Sequence, residues 1–198
     1  MDDASTKLFD SLRGEAIDLH LRWKLYRHLY AGPKEDVVLL NRSAPSLFAI
    51  LQSLLFDDCV LRICRITDPN SRGGYEYLSV YQLAESIRSA SAENLVRDLE
   101  PALEQLEAAC SKMRTLRNAR IAHADLKQAL QIAPEPLPGI SIGDVNTALR
   151  LLEKLLNVVE AMLRRSRTFY GDVLLPVDDD VDRLLSLLRK ANARPSEA

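Results

Sequence analysis

The chain has 198 residues, a formal net charge of -2, and 47% hydrophobic against 27% charged residues. That length suits one domain with a sizeable core, and the near-neutral balance excludes a chain held to nucleic acid or anionic membrane by overall charge, so any such contact needs a local basic patch. Cys59, Cys64 and Cys110 form no CxxC pair, which argues against a disulfide framework or a zinc knuckle; Met1 to Lys7 lacks a basic start leading into an apolar stretch, and no apolar run approaches the roughly 18 residues of a membrane span, so a soluble, cytoplasmic protein with no membrane contact is expected.

Helical stripes recur along the chain while β-type alternation is scarce. This predicts an all-α, single-domain antiparallel bundle of about five to six helices over 1–198, its core over about 5–170 and a C-terminal helix over 177–192. Leu8, Leu12, Ala16, Leu19, Trp23, Tyr26 and Tyr30 line a first helix that Gly32-Pro33 ends. The aromatic residues there read as core. His20 and His28, on the same helix, match no metal-ligand spacing and read as packing or surface residues. A second helix is predicted from about Ala44 to Thr67, with Ala44, Leu47, Phe48, Leu51 and Leu55 as its stripe and Asp68-Pro69-Asn70, then Gly73-Gly74, as its stop. Its stripe turns charged at Asp58, Arg62 and Arg65, where Asp58 is spaced to pair with Arg62 and Arg65 with Asp68.

Ser79 and Gln82 form a capping-box pattern, with Leu78 and Leu83 placed as its staple, and open a short third helix. Ser91 suits the cap of the next segment, and Pro101 suits the start or kink of a fresh helix. In that segment Leu103, Leu106, Cys110 and Met113 step by three and four, and the next steps land on Arg117 and Arg120. The side turns from apolar to cationic, and Lys112, Arg114, Arg117, Arg120 and Lys127 make the local basic patch that the whole chain lacks. Arg117, Arg120 and His123 step by three, spanning roughly 120° of helix surface, so they can converge on one ligand. The plain alternative pairs the arginines with acids of neighbouring helices.

Ala133 to Gly139, rich in proline, must leave the helix. Ser141-Ile142-Gly143-Asp144 reads as a new start, followed by Val145, Leu149, Leu152, Leu156, Val159, Leu163 and Ser166 as the stripe of a central helix. A last short helix is expected after Pro176, with Asp178, Asp179 and Asp180 at its N-terminus and a frayed tail from Asn192.

Arg117, followed by the polar Asn118 and, after five intervening residues, by His123, resembles the motif of the HEPN superfamily. Together with the run from Phe56 to Asp68, the segment Leu116 to Asp125 resembles the AbiU-like branch, associated with phage abortive infection, over about 19–170. The resemblance implies a metal-independent endoribonuclease of a defence or toxin-antitoxin type. It would use no cofactor and act as a homodimer, its two motifs facing across a cleft. In that reading His123 is the general acid and base, Arg117 stabilises the scissile phosphate and Asn118 orients either group. Arg120, Arg114 and Lys112 would contact RNA phosphates, Asp58 would orient His123, and Arg62 and Arg65 would extend the phosphate site. One departure is that the tightest form of the motif has four intervening residues, so here the helix must bend or end for the pair to meet. The alternative is a catalytically silent HEPN bundle that binds RNA or a protein partner, as an antitoxin or adaptor does.

Overall fold

The computed structural model describes residues 3–89, 93–122, 124–172 and 180–193, and these are all-α. The elements run α1 (Asp3–Tyr30), α2 (Lys34–Ser43), α3 (Pro45–Thr67), a hairpin of β1 (Ser71–Arg72) and β2 (Tyr75–Glu76), α4 (Val80–Ser89), α5 (Glu93–Leu116), a π-helical turn (Arg117–Ile121), α6 (Leu126–Ala129), α7 (Ile142–Arg164), a 3-10 turn (Tyr170–Asp172) and α8 (Asp180–Ala193). Eight helices among the described residues exceed the five to six expected. One addition is α2, which Pro33 opens with Glu35 and Asp36 in its first turn, where carboxylates suit the helix dipole. The other, α6, is a single turn capped by Asp125, whose carboxylate accepts from the Gln128 N–H at 2.9 Å.

Several predicted boundaries hold for stated reasons. Pro45 opens α3, and Asp68, which Pro69 forces into extended backbone (φ -74°, ψ 160°), closes it. The Ser79 hydroxyl accepts from Gln82 N–H at the start of α4 at 3.3 Å, although Leu78 beside it stays exposed. Ser141 and Asp144 complete a reciprocal capping box on α7, and the Ser141 hydrogen bonds pull the Asp144 carboxyl below its usual range. Other boundaries move. Pro101 starts no separate helix but lies on the exposed side inside α5, because the buried stripe on both sides of it outweighs one missing hydrogen bond. Ser166 lies beyond the end of α7, which stops at Arg165 in left-handed backbone, and Asn192 is still helical, bonded to Ser43 at 3.0 Å. Ser91, Asp178 and Asp179 lie outside the described residues.

The core forms where α5 meets α7 and α1 meets α3. Leu103, Leu106, Cys110 and Met113 of α5 share one buried core with Val145, Leu149, Leu152 and Leu156 of α7, and Leu12, Leu19 and Trp23 of α1 with Val60 and Ile63 of α3 belong to it too. Trp23 stacks on Tyr26 at 5.0 Å and donates its indole N–H to Asn146 at 2.8 Å, so the aromatic stripe of α1 is core. A second cluster of Leu29, Leu40, Phe48, Val181 and Leu185 seats α2 and α8, tied together by the Asp36–Arg189 pair. The three cysteines are unpaired and buried, and burial pushes the Cys59 and Cys64 thiols up to about 12, so neither is a thiolate near neutral pH.

The predicted stripe of α3 shifts. Phe48 is buried, but Leu47, Ile50 and Leu54 are 61%, 59% and 62% exposed, leaving an apolar face uncovered along the first half of the helix. Nearby, Asp58 and Arg62 pair as predicted at 3.1 Å and then join Arg22 and Asp18 of α1, locking α1 to α3.

Within α1, His20 lies with its ring 5.7 Å from that of Tyr170, and its Nε2 is buried with no hydrogen-bond partner among the described residues. Burial lowers its pKa from 6.5 to about 4. The unfolded chain therefore takes up this proton at a higher pH than the folded one, so stability falls as pH drops from 6.5 toward 4. Urea unfolding is expected to show a loss of about 3 kcal/mol from this group across that window. His20→Phe removes the proton uptake and flattens the pH dependence of the midpoint there; an unchanged slope rejects the assignment.

Candidate functional site

The stripe of α5 brings Leu116 into the core and so delivers the next residue, Arg117, to the place where α3 ends. There Asp68 stands free of the helix, and its carboxylate accepts two parallel bonds from Arg117, Nη1 to Oδ2 at 2.7 Å and Nη2 to Oδ1 at 2.8 Å. The side chains are only 18% and 21% exposed, so this fork-to-fork pair is partly desolvated and directional. Asp68 holds the Arg117 guanidinium above its ordinary, already high range. Arg114, one turn earlier, donates from Nη2 to the Thr67 carbonyl at 2.6 Å, one of the last carbonyls that α3 cannot satisfy internally. Two arginines thus cap the negative end of α3.

From Arg117 the helix widens. The Ala122 N–H reaches the Arg117 carbonyl at 2.8 Å, a π turn in which one more residue is fitted into the coil than an α-helix holds. His123 lies outside the described residues. Asn118 is exposed and, with Arg117, lines a cavity of about 530 Å3 whose other walls include Arg65, Asp68, Tyr77 and Arg114.

The expected convergence of Arg117 with Arg120 does not form. Arg120 pairs with Asp57, about three turns before Asp68, so the two arginines reach toward carboxylates roughly 16 Å apart along α3. The wider turn contributes, because residues three apart separate further around it than the roughly 60° of an α-helix. Arg120 lines a separate cavity of about 320 Å3 with Phe56, Asp57 and Gly139. Lys112 faces Asp144 of α7 at 3.9 Å and lines neither of these cavities. Asp58 and Arg62 find their partners on α1 rather than around the motif. Arg65 does not pair with Asp68, because Arg117 already occupies that carboxylate; its side chain is exposed and has no ion pair among the described residues.

Sequence reading missed Asp57, Asp68 and Tyr77. The two acids were visible as carboxylates on a helix whose stripe turns charged, but spacing within α3 points only to partners on α3. Tyr77 follows a hairpin too short to leave a periodic pattern.

The described residues are all-α, and the long helix α5 passes at Leu116 into the π turn that carries Arg117 and Asn118. Residues 2–184 match the family model HEPN AbiU2, described as AbiU2, and the chain belongs to that family. No curated protein and no solved structure matches it.

Asp68→Ala leaves a partly buried guanidinium without its partner and is expected to destabilise the fold by about 2–3 kcal/mol in urea unfolding. Arg65→Ala, at an exposed side chain of the same cavity, is expected to change stability by less than about 0.5 kcal/mol. Equal effects of the two would reject a special structural role for the Asp68–Arg117 pair.

Proposed function

We propose that the chain is a metal-independent endoribonuclease of a defence or toxin-antitoxin type, active as a homodimer. The observation that carries this reading is the placement of Arg117 and Asn118 of the family motif on a π turn at a cavity in which three arginines face one carboxylate. In the proposed reaction His123 takes the proton of a ribose 2'-hydroxyl, the 2'-oxygen attacks phosphorus, and the 5'-oxygen leaves with a proton, giving a 2',3'-cyclic phosphate. Both terminal nitrogens of Arg117 are engaged by Asp68, so in this arrangement Arg117 contributes fixed positive charge more than new hydrogen bonds to the phosphate. Asn118 and Arg65 are exposed donors on the cavity wall. The uncovered stripe of Leu47, Ile50 and Leu54 on α3 supports burial against a second copy.

The same occupied fork favours a second reading, in which the motif is kept as scaffold and the bundle binds RNA or a protein partner without cutting.

Purified protein incubated with RNA in EDTA is expected to yield 2',3'-cyclic phosphate ends. His123→Ala should lower the rate by about 10²–10⁴-fold, and Arg117→Ala should lower it too. Absence of cleavage by the wild type selects the silent reading, and cleavage that survives His123→Ala removes the assigned chemistry. Ile50→Arg is expected to shift the protein from dimer to monomer in light scattering; a dimer that tolerates it places the interface elsewhere.

A further inference from the structure

Among the residues lining the cavity at the π turn, most of the charge is already engaged. Arg117 is clamped by Asp68 and Arg114 is spent on the Thr67 and Glu107 carbonyls. Arg65 differs: it lies on the last turn of α3, exposed, with no side-chain partner among the described residues, and it lines the same cavity. On the same cavity's wall, Tyr77 leaves the hairpin with its backbone N–H bonded to the Asn70 carbonyl at 2.8 Å, which ties the hairpin's exit to the residues just after α3. Its side chain belongs to a residue 40% exposed, flanked by Leu78 and facing the space that Pro69 also lines. The cavity therefore holds a spare cation and a backbone-anchored aromatic ring, within a volume of about 530 Å3 that suits a small ligand.

We infer that Arg65 and Tyr77 form a one-nucleotide subsite for single-stranded RNA, in which Arg65 receives a phosphate and the Tyr77 ring lies against the base. This rests on the ribonuclease reading for the choice of RNA. An aromatic face accepts any base and adds binding without sequence preference. A base must leave its own stack to reach such a face, which selects loops and unpaired strands over duplex. The excess of arginine over carboxylate in the wall favours the polyanion and keeps its backbone beside Asn118 and Arg117. Arg65 thus serves as the contact that the occupied Arg117 cannot make, and Asp68 keeps Arg117 from swinging out to compete for it.

The test measures binding in the His123→Ala protein, so that the RNA survives. The probes are pentauridylate and an abasic ribose-phosphate pentamer of equal charge. Tyr77→Ala is expected to weaken pentauridylate about tenfold and leave the abasic probe unchanged, while Tyr77→Phe keeps the affinity. Arg65→Ala should weaken both probes and lower the salt slope of log K by about 0.7. Urea midpoints of the variants confirm that each is folded. Unchanged pentauridylate binding by Tyr77→Ala, equal loss on both probes, an unchanged salt slope for Arg65→Ala, or no binding of either probe overturns the subsite. Duplex RNA bound as tightly as pentauridylate, or a polyglutamate peptide of equal charge bound as tightly, overturns it as well. The two readings fail separately. Tyr77- and Arg65-dependent binding without any cleavage by the wild type keeps the subsite and removes the nuclease, whereas cleavage indifferent to both residues does the reverse.

Discussion

The bidentate pair between Asp68 and Arg117 is the constraint on which the site end of the molecule depends. Pro69 stops α3 and leaves Asp68 in extended backbone, so the carboxylate is presented beyond the helix rather than along it. The apolar stripe of α5 brings Arg117 to that point with little freedom left, because Met113 and Leu116 are already buried. A partly desolvated guanidinium needs a partner, and a two-bond fork fixes its orientation as well as its charge. With Arg114 on the Thr67 carbonyl, the pair welds the end of α3 to the end of α5, and the cavity wall follows from that junction.

The π turn converts this junction into a surface. An α-helix continued past Leu116 would keep Arg117 and Arg120 close on one side; the wider coil spreads them and leaves Asn118 exposed at the cavity. The extra residue of this turn lies within Arg117–Ile121, where the coil is π-helical. Arg120 goes to Asp57, Lys112 to Asp144, and the basic patch divides among separate partners.

That division bears on function through charge. A chain with net charge -2 has little long-range pull on a polyanion, and most of its clustered cations are locally answered by carboxylates or carbonyls. On the proposed reading, contacts with RNA would come from few, well-placed groups. Arg65, Asn118 and Tyr77 line one cavity and are held by helix ends and a hairpin rather than by a broad basic face. The rest of the fold supplies stiffness: α1 is locked to α3 through Asp18, Arg22, Asp58 and Arg62, and α7 fills the opposite side of α5.

Much of the fold was legible in the sequence because helices announce themselves locally. The stripes of α1, α5 and α7, the stop at Asp68-Pro69 and the Ser141 capping box all depend on residues within a few turns of one another. The motif Arg117-Asn118 was legible for the same reason, and so was its awkward spacing. What no local pattern contains is which charge meets which. Arg65 and Asp68 are correctly spaced to pair on one helix, yet Asp68 takes Arg117, because a two-bond fork at a helix end outcompetes a flexible single-helix pair. Helix α2 also escaped, since a short helix with one buried leucine is set by its contacts with α3 and α8 more than by its own periodicity. Residues within a few turns of one another set the long helices, and they were enough to show the family. Tertiary structure decided the partner of each arginine, the π turn and the cavity, because those depend on where separate helix ends come to lie against one another.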